Sequence, residues 1–285
     1  KTAGVNRFAS CLLGVLLFGF AFYGGIWAYT SVHARYIWAL ILTLVLVITY
    51  IYHFAFIKSA DFTPAKRIKA WKVYVKAGLS LVFLILLAFL IKGFYYPRPA
   101  VETAFPLESG TYYVLQGGNS WIANGLHRSH HSQQYAYDFV KLDKFGNRAT
   151  GILPQDLDGY HIFGDTIYAP VAGVVERAVD GVEDNIPPNR NTEARLGNFI
   201  LLRHDNYLLV LAHFKKGTVW VQPGQEVQQG EPLGLVGNSG NSIEPHLHIQ
   251  VVESLRGHHE WWRNAGVPQS IYGEFYSLGS VIEVE

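Results

Sequence analysis

His246-Leu247-His248 places two imidazoles two residues apart. If the stretch is extended, a strand's period of two sends both rings to one side. The flanks favour a strand. A turn-rich run from Gly237 to Pro245 leads in, and Ile249-Gln250-Val251-Val252 leads out. Two such rings can serve as one metal ligand and one proton-transfer group. His213 closes the apolar run that begins at Tyr207, where either a single hydrogen bond or a catalytic role would satisfy it. Asp138 lies in the strand-like stretch from Tyr135 to Val140. There it either caps a turn or faces a cation, because an unpaired carboxylate on an apolar strand is costly. His127, His130 and His131 cluster upstream, whereas His258 and His259 sit in a charged stretch that reads as solvated. Together these residues suit a site for one zinc ion. Two His and one Asp hold the ion and leave a position for water. The ion then acidifies that water and polarises a carbonyl, and two further His move the proton and stabilise the oxyanion.

The elements that must position these residues occupy only part of the 285-residue chain, which has two unlike parts. Residues 1–100 carry 11 Lys and Arg and one acid, Asp61, a formal +10; residues 101–285 carry 12 Lys and Arg and 21 Asp and Glu, a formal −9. The whole-chain charge of +1 hides this split. The basic residues adjoin apolar runs, so no nucleic-acid partner is expected. Residues 11–32 and 36–57 are uncharged and 22 residues long, and 77–91 extends to 73–91 if Lys76 snorkels. A helix needs ~20 apolar residues to cross a bilayer, so three transmembrane helices are predicted, over about 11–32, 36–57 and 73–91. The basic segment 58–76, with six Lys and Arg, should stay cytoplasmic. That orientation puts everything beyond about Tyr96 outside the cytoplasm. The first run reads as an anchor and not a cleaved leader, because a second apolar run comes at once. Cys11 is the only cysteine, so the outer domain must rely on a core or a metal in place of a disulfide.

Residues 96–110, rich in Pro, read as a linker, and 111–285 as one domain. Short β-branched runs separated by Gly, Asn and Pro mark strands at 167–179, 199–203, 207–213, 218–221, 233–236 and 247–252. The fold class expected is an all-α transmembrane region of three helices (1–95) joined to an all-β extracytoplasmic domain, an antiparallel sheet with an active-site groove. Residues 180–195 are polar, contain Pro187-Pro188, and read as a long loop at the rim of a site.

The outer domain resembles the lysostaphin/LytM-type zinc endopeptidases of the duplicated-hybrid-motif fold, which cut peptide bridges in bacterial cell-wall peptidoglycan. The matching stretches are Tyr135–Asp138, Tyr168–Val175, Gly197-Asn198, Leu211–Phe214, Gly224–Gly234, Gly237–Asn241 and Pro245–His248, in the family's order over residues 111–253. The resemblance implies that Asp138 and His248 ligate one Zn²⁺ and that His213 and His246 are the catalytic pair. The commonest family pattern has a His four residues before the Asp, where this chain has Gln134. A variant with longer spacing matches His127 as the first ligand, with His131 and His130 as the alternatives. The expected activity is hydrolysis of peptide bonds in the cross-links or stem peptides of peptidoglycan, by an enzyme tethered to the lipid bilayer; protein partners are not indicated. One rival is an inactive or self-blocked scaffold of the same fold that regulates other wall enzymes. Another is a lipoyl- or biotin-carrier-like barrel or membrane-fusion adaptor, suggested by Tyr168–Val175 and the Gly-rich 224–237. No Lys comes after Lys216 to be modified, which counts against a carrier.

Overall fold

The computed structural model describes residues 92–96, 99–254 and 258–285. The three apolar runs expected to span a membrane lie outside the described residues. Among the residues described, no helix is long and apolar enough to cross one. One compact unit holds all the described strands and the residues expected to form the site.

The described strands are, in chain order, β1 (Val101–Thr103), β2 (Gly110–Gln116), β3 (Tyr137–Leu142), β4 (Thr166–Tyr168), β5 (Gly173–Val179), β6 (Asn198–His204), β7 (Tyr207–Phe214), β8 (Glu226–Val227), β9 (Pro232–Leu235), β10 (Leu247–Glu253), β11 (Gly266–Val267), β12 (Gln269–Ile271) and β13 (Val281–Val284). The main sheet runs β13-β2-β3-β10-β7-β6-β5-β8, with β11 also on β10, and its pairs are antiparallel. β4 pairs with β9, and β1 pairs in parallel with β12. Among the described residues, helix is confined to short turns such as Gly125–Arg128.

The two faces of the main sheet do different things. Leu247, Ile249 and Val251 of β10 face the larger core, with Tyr137, Phe139, Leu209 and Leu211. The alternate residues His248, Gln250 and Val252 turn to the other face. There a smaller apolar cluster gathers Val252, Leu208, Val210, Ala212, Phe199 and Trp261. β7 is buried on both faces, which is why its sequence is an unbroken apolar run without alternation. β10 does alternate, and the polar members of the alternation mark the face that carries the site.

Three expectations need correction. Residues 96–110 are not simply a linker: Val101–Thr103 forms β1, and Phe105 and Leu107 belong to the larger core. Prolines keep a chain extended, and an extended segment with apolar residues at intervals docks as readily as it spans. The run 167–179 is two strands in different sheets, because Pro170 lies in the break and offers no N–H to a ladder. Residues 218–221 form no strand; Val219 N–H donates to the Asp180 carboxylate, and Trp220 N–H to Leu233 O. A loop side chain thus takes the donor that a neighbouring strand would have accepted.

Gly197 opens β6 with φ +61°, and a Cβ there would overlap the backbone of Ser239. Gly197→Ala is therefore expected to cost about 1–3 kcal/mol of stability. Urea or thermal unfolding of the full chain checks this; an unchanged midpoint would contradict the close approach.

Candidate metal centre

Register brings the central pair together. In the antiparallel β3–β10 pair, Asp138 stands directly opposite His248, so both side chains leave the same face. His248 Nδ1 lies 2.9 Å from Asp138 Oδ1. His127, in the helical turn before β3, puts Nε2 3.3 Å from Asp138 Oδ2. His127, Asp138 and His248 each offer one ligand atom within 4.8 Å of the others, and all three are buried. His246, one residue before β10, brings Nε2 to 3.6 Å from Asp138 Oδ1.

His213 reaches the site by a distortion. It comes after Ala212, which pairs with His248, so simple alternation would send His213 into the larger core. Instead the β6–β7 register shifts between Asn198 and Phe199, and His213 takes φ +67°. A bulge with a left-handed residue re-aims a side chain at a cost of about 1–3 kcal/mol. The result sets the His213 ring 4.7 Å from the His246 ring and 5.9 Å from the His248 ring, centroid to centroid. Non-glycine residues rarely adopt this conformation, and strain of this kind gathers at functional sites.

The back of each ring is fixed. His127 Nδ1 meets Asn124 Oδ1 at 2.8 Å. The Asn124 amide nitrogen faces the carbonyls of Gly118, Gln134 and Ala136, so its oxygen must be the group that accepts from His127. His248 Nε2 meets Gln250 Oε1 at 2.9 Å, and the Gln250 amide donates to Ser132 O. His213 Nδ1–H donates to Ser239 O at 2.7 Å, and His246 Nδ1–H to Glu244 O at 2.8 Å. Glu244 is held by Arg148 through two contacts of 2.9 Å, both side chains being buried. Each imidazole thus donates away from the site and directs its other nitrogen's lone pair toward it.

Acceptors now face acceptors. Lone pairs of His127 Nε2 and His248 Nδ1 are aimed at a carboxylate that carries lone pairs of its own. That arrangement is satisfied by a cation or a proton placed between them. Burial alone would raise the Asp138 carboxyl, but positive charge carried by His127, His246 and His248 around it overcomes this and lowers it below the usual carboxylate range. Burial pushes His127 down to about 4, against the pull of Asp138, and pushes His213 well below 6.5. The donor set of two imidazole nitrogens and a carboxylate, each imidazole anchored from behind, fits Zn²⁺.

A groove of about 670 Å³ reaches these residues, its walls including Leu126, Gln133, Arg190, Arg195, Ile243 and Trp262. The loop 180–195 contributes Arg190 and Arg195 to one wall. His130 and His131 also line the groove but are exposed and stand outside the His127–Asp138–His248 group. Asn124, Gln250, Ser239 and the Arg148–Glu244 pair are functional neighbours that residue type and spacing do not single out. Gln250 does leave a signal: it continues the His246-x-His248-x-Gln250 alternation on an apolar strand. Asn124 and Glu244 lie three and two residues before the histidines they hold, whereas Ser239 reaches His213 from 26 residues away and Arg148 reaches Glu244 from 96.

Known proteins share this region. Residues 157–259 match the model of Peptidase family M23. The matched stretch contains His213, His246 and His248; His127 and Asp138 precede it. The peptidoglycan DD-endopeptidase ShyA of Vibrio cholerae is 31% identical over 163 residues, 56% of this chain and 36% of its own. ShyC of the same organism is 31% identical over 108 residues, 38% of this chain and 23% of its own. The chain therefore spans about a quarter to a third of the length of these relatives. A solved zinc-containing peptidase from Vibrio cholerae aligns at 18% identity over 57% of this chain and 37% of its own, with a TM-score of 0.33.

The anchored rings lead to two expected outcomes. Gln250→Ala and Asn124→Ala should each weaken zinc binding about 10–100-fold, measured by competition with a chelator, whereas a surface change such as Glu283→Gln should not. In the metal-free chain, His127 has a pKa of about 4 when folded, against an ordinary value of 6.5. The unfolded chain thus takes up the proton first as pH falls, so this contribution to stability is complete above pH 6.5 and declines toward pH 4. The melting temperature of metal-free protein should fall across that window, and less steeply in His127→Gln.

Proposed function

We propose that this chain is a membrane-anchored zinc metallo-endopeptidase that hydrolyses peptide bonds in the cross-links or stem peptides of bacterial peptidoglycan. The observation that carries this reading is the convergence of the His127, His213, His246 and His248 lone pairs on and around Asp138, at the base of a groove. The match to Peptidase family M23 and the two DD-endopeptidase relatives support it. His127, Asp138 and His248 are assigned as the ligands, and His213 and His246 as the catalytic pair. A zinc ion bound there would supply Lewis acidity, making water more acidic and a carbonyl more electrophilic.

His213 and His246 both keep Nδ1–H on a backbone carbonyl and present Nε2 to the groove. In that tautomer each ring is a base. One accepts a proton from the attacking water. The N–H it gains then donates to the tetrahedral oxygen and next to the leaving amine, which completes hydrolysis with no net proton change on the enzyme. Burial lowers the His213 pKa, so the ring is unprotonated at neutral pH. Residues 1–95, with their three apolar runs and the basic segment 58–76, are assigned as the anchor that places the domain outside the cytoplasmic membrane.

The test uses the full chain, zinc analysis and purified peptidoglycan. About one zinc per chain is expected, lost in His248→Ala and in Asp138→Ala. New amino groups should appear with the wild type alone. His213→Ala should keep its zinc and lose at least about 100-fold in turnover. Near-full turnover in that variant would remove His213 from the mechanism, and a chain that binds no zinc would overturn the ligand set.

A further inference from the structure

Two arginines stand at the groove with no acidic partner. Arg190 and Arg195 are exposed and line it. Among the described residues neither takes part in an ion pair, although residues 101–285 carry a formal −9. The acids that line the same groove are Asp138 and Glu244. Asp138 lies among the histidines, and Glu244 is held by Arg148 at 2.9 Å on both carboxylate oxygens. Glu193 lies beside Arg195 in an adjoining hollow of about 480 Å³ without pairing with it.

The backbone that carries these arginines is tied to His213 of β7 and to the loop 238–242 that leads into β10. Arg195 O accepts from Asn241 N–H at 2.9 Å, and the next carbonyl, Leu196 O, accepts from His213 N–H at 3.1 Å. Asn191, beside Arg190, donates its N–H to Gly240 O at 2.8 Å. The Asn185 side chain reaches Asn238 O and Gly240 O at 2.7 Å and Ser242 O at 3.1 Å. Ser242 Oγ in turn lies 3.0 Å from His246 Nδ1. A long loop that would otherwise be mobile is therefore held in place against the two residues assigned as catalytic. A guanidinium group matches a carboxylate, which it can bind with two parallel hydrogen bonds.

We infer that Arg190 and Arg195 form a carboxylate-binding subsite at the rim of the groove, so that the substrate is an anionic peptide with a free carboxylate close to the scissile amide. The inference rests on the proposed hydrolytic reading for what enters the groove. The subsite positions substrate and sets specificity, and neither arginine takes part in the proton transfers.

The test compares two synthetic peptides that differ only in bearing a free carboxylate or its carboxamide beside the scissile bond. Each is added to the zinc-loaded full chain, and both binding and cleavage are measured for the wild type, Arg190→Ala, Arg195→Ala and the double variant. The wild type should favour the carboxylate peptide about ten-fold or more, the scale of one charged hydrogen bond. Each single variant should reduce this preference and the double variant should abolish it, with carboxamide turnover unchanged. A wild type indifferent to the carboxylate overturns the subsite. So do variants that slow both peptides alike, or a chain that binds neither. Arginine-dependent binding of the carboxylate peptide without cleavage of either would uphold the subsite while rejecting hydrolysis.

Discussion

Each imidazole of the site is turned by a hydrogen bond at the nitrogen that faces away from it, and the rest of the centre depends on those bonds. Asn124 and Gln250 are themselves oriented by backbone carbonyls, so their amide oxygens have no alternative but to accept. Ser239 and Glu244 accept through backbone oxygens that cannot rotate. The tautomers are thereby decided without the metal. What remains is a buried carboxylate facing nitrogen lone pairs, an arrangement that is unfavourable until positive charge enters. Preorganisation of this kind places the cost of assembling a metal site in folding and not in binding.

The sheet supplies the frame on which those bonds are hung. Pairing of Asp138 with His248 across β3 and β10 is a consequence of register, and a one-residue slip would send one of the two to the opposite face. Apolar side chains on both faces oppose such a slip. Leu247, Ile249 and Val251 enter one cluster, and Val252 enters the other, together with Ala212, the strand partner of His248. Burial in the two clusters thus does more than stabilise the domain: it holds the ligand carboxylate and its histidine opposite one another. His213 is the exception that the sheet must distort to include, through the bulge at the end of β7.

Much of the candidate site was legible in local pattern. Alternation at His246-x-His248, the polar interruption at Asp138 and the His at the end of an apolar run all point to a face where charge is wanted inside an apolar sheet. Strands β6, β7, β9 and β10 could be read for the same reason, since their apolar runs have strand length and are bounded by polar or turn-forming residues. Other elements carry no such local mark. β1 comes after a proline-rich stretch, and its partner β12 is about 170 residues away; nothing local reports that pairing. Residues 218–221 have strand propensity, but Asp180 takes one of their donors. Competition from a distant side chain leaves no periodic trace.

Residue types and spacing by themselves determined that a β domain carries a cluster of histidines with one aspartate, because periodicity and the cost of burying charge are local properties. They showed three neighbouring imidazoles upstream, His127, His130 and His131, among which the family resemblance favoured His127 as the first ligand. The tertiary structure separates these physically, by burying His127 against Asn124 and leaving His130 and His131 exposed. It alone decided which nitrogen of each ring faces the groove, that His213 turns out of its strand's alternation, and that Arg190 and Arg195 stand beside the site. The bonds that turn His127, His246 and His248 join residues two or three apart, but the side-chain acceptors Asn124 and Gln250 are themselves oriented by Ala136 O and Ser132 O, and His213 bonds Ser239 26 residues away; these longer contacts are set by register and packing, which no short stretch of sequence encodes.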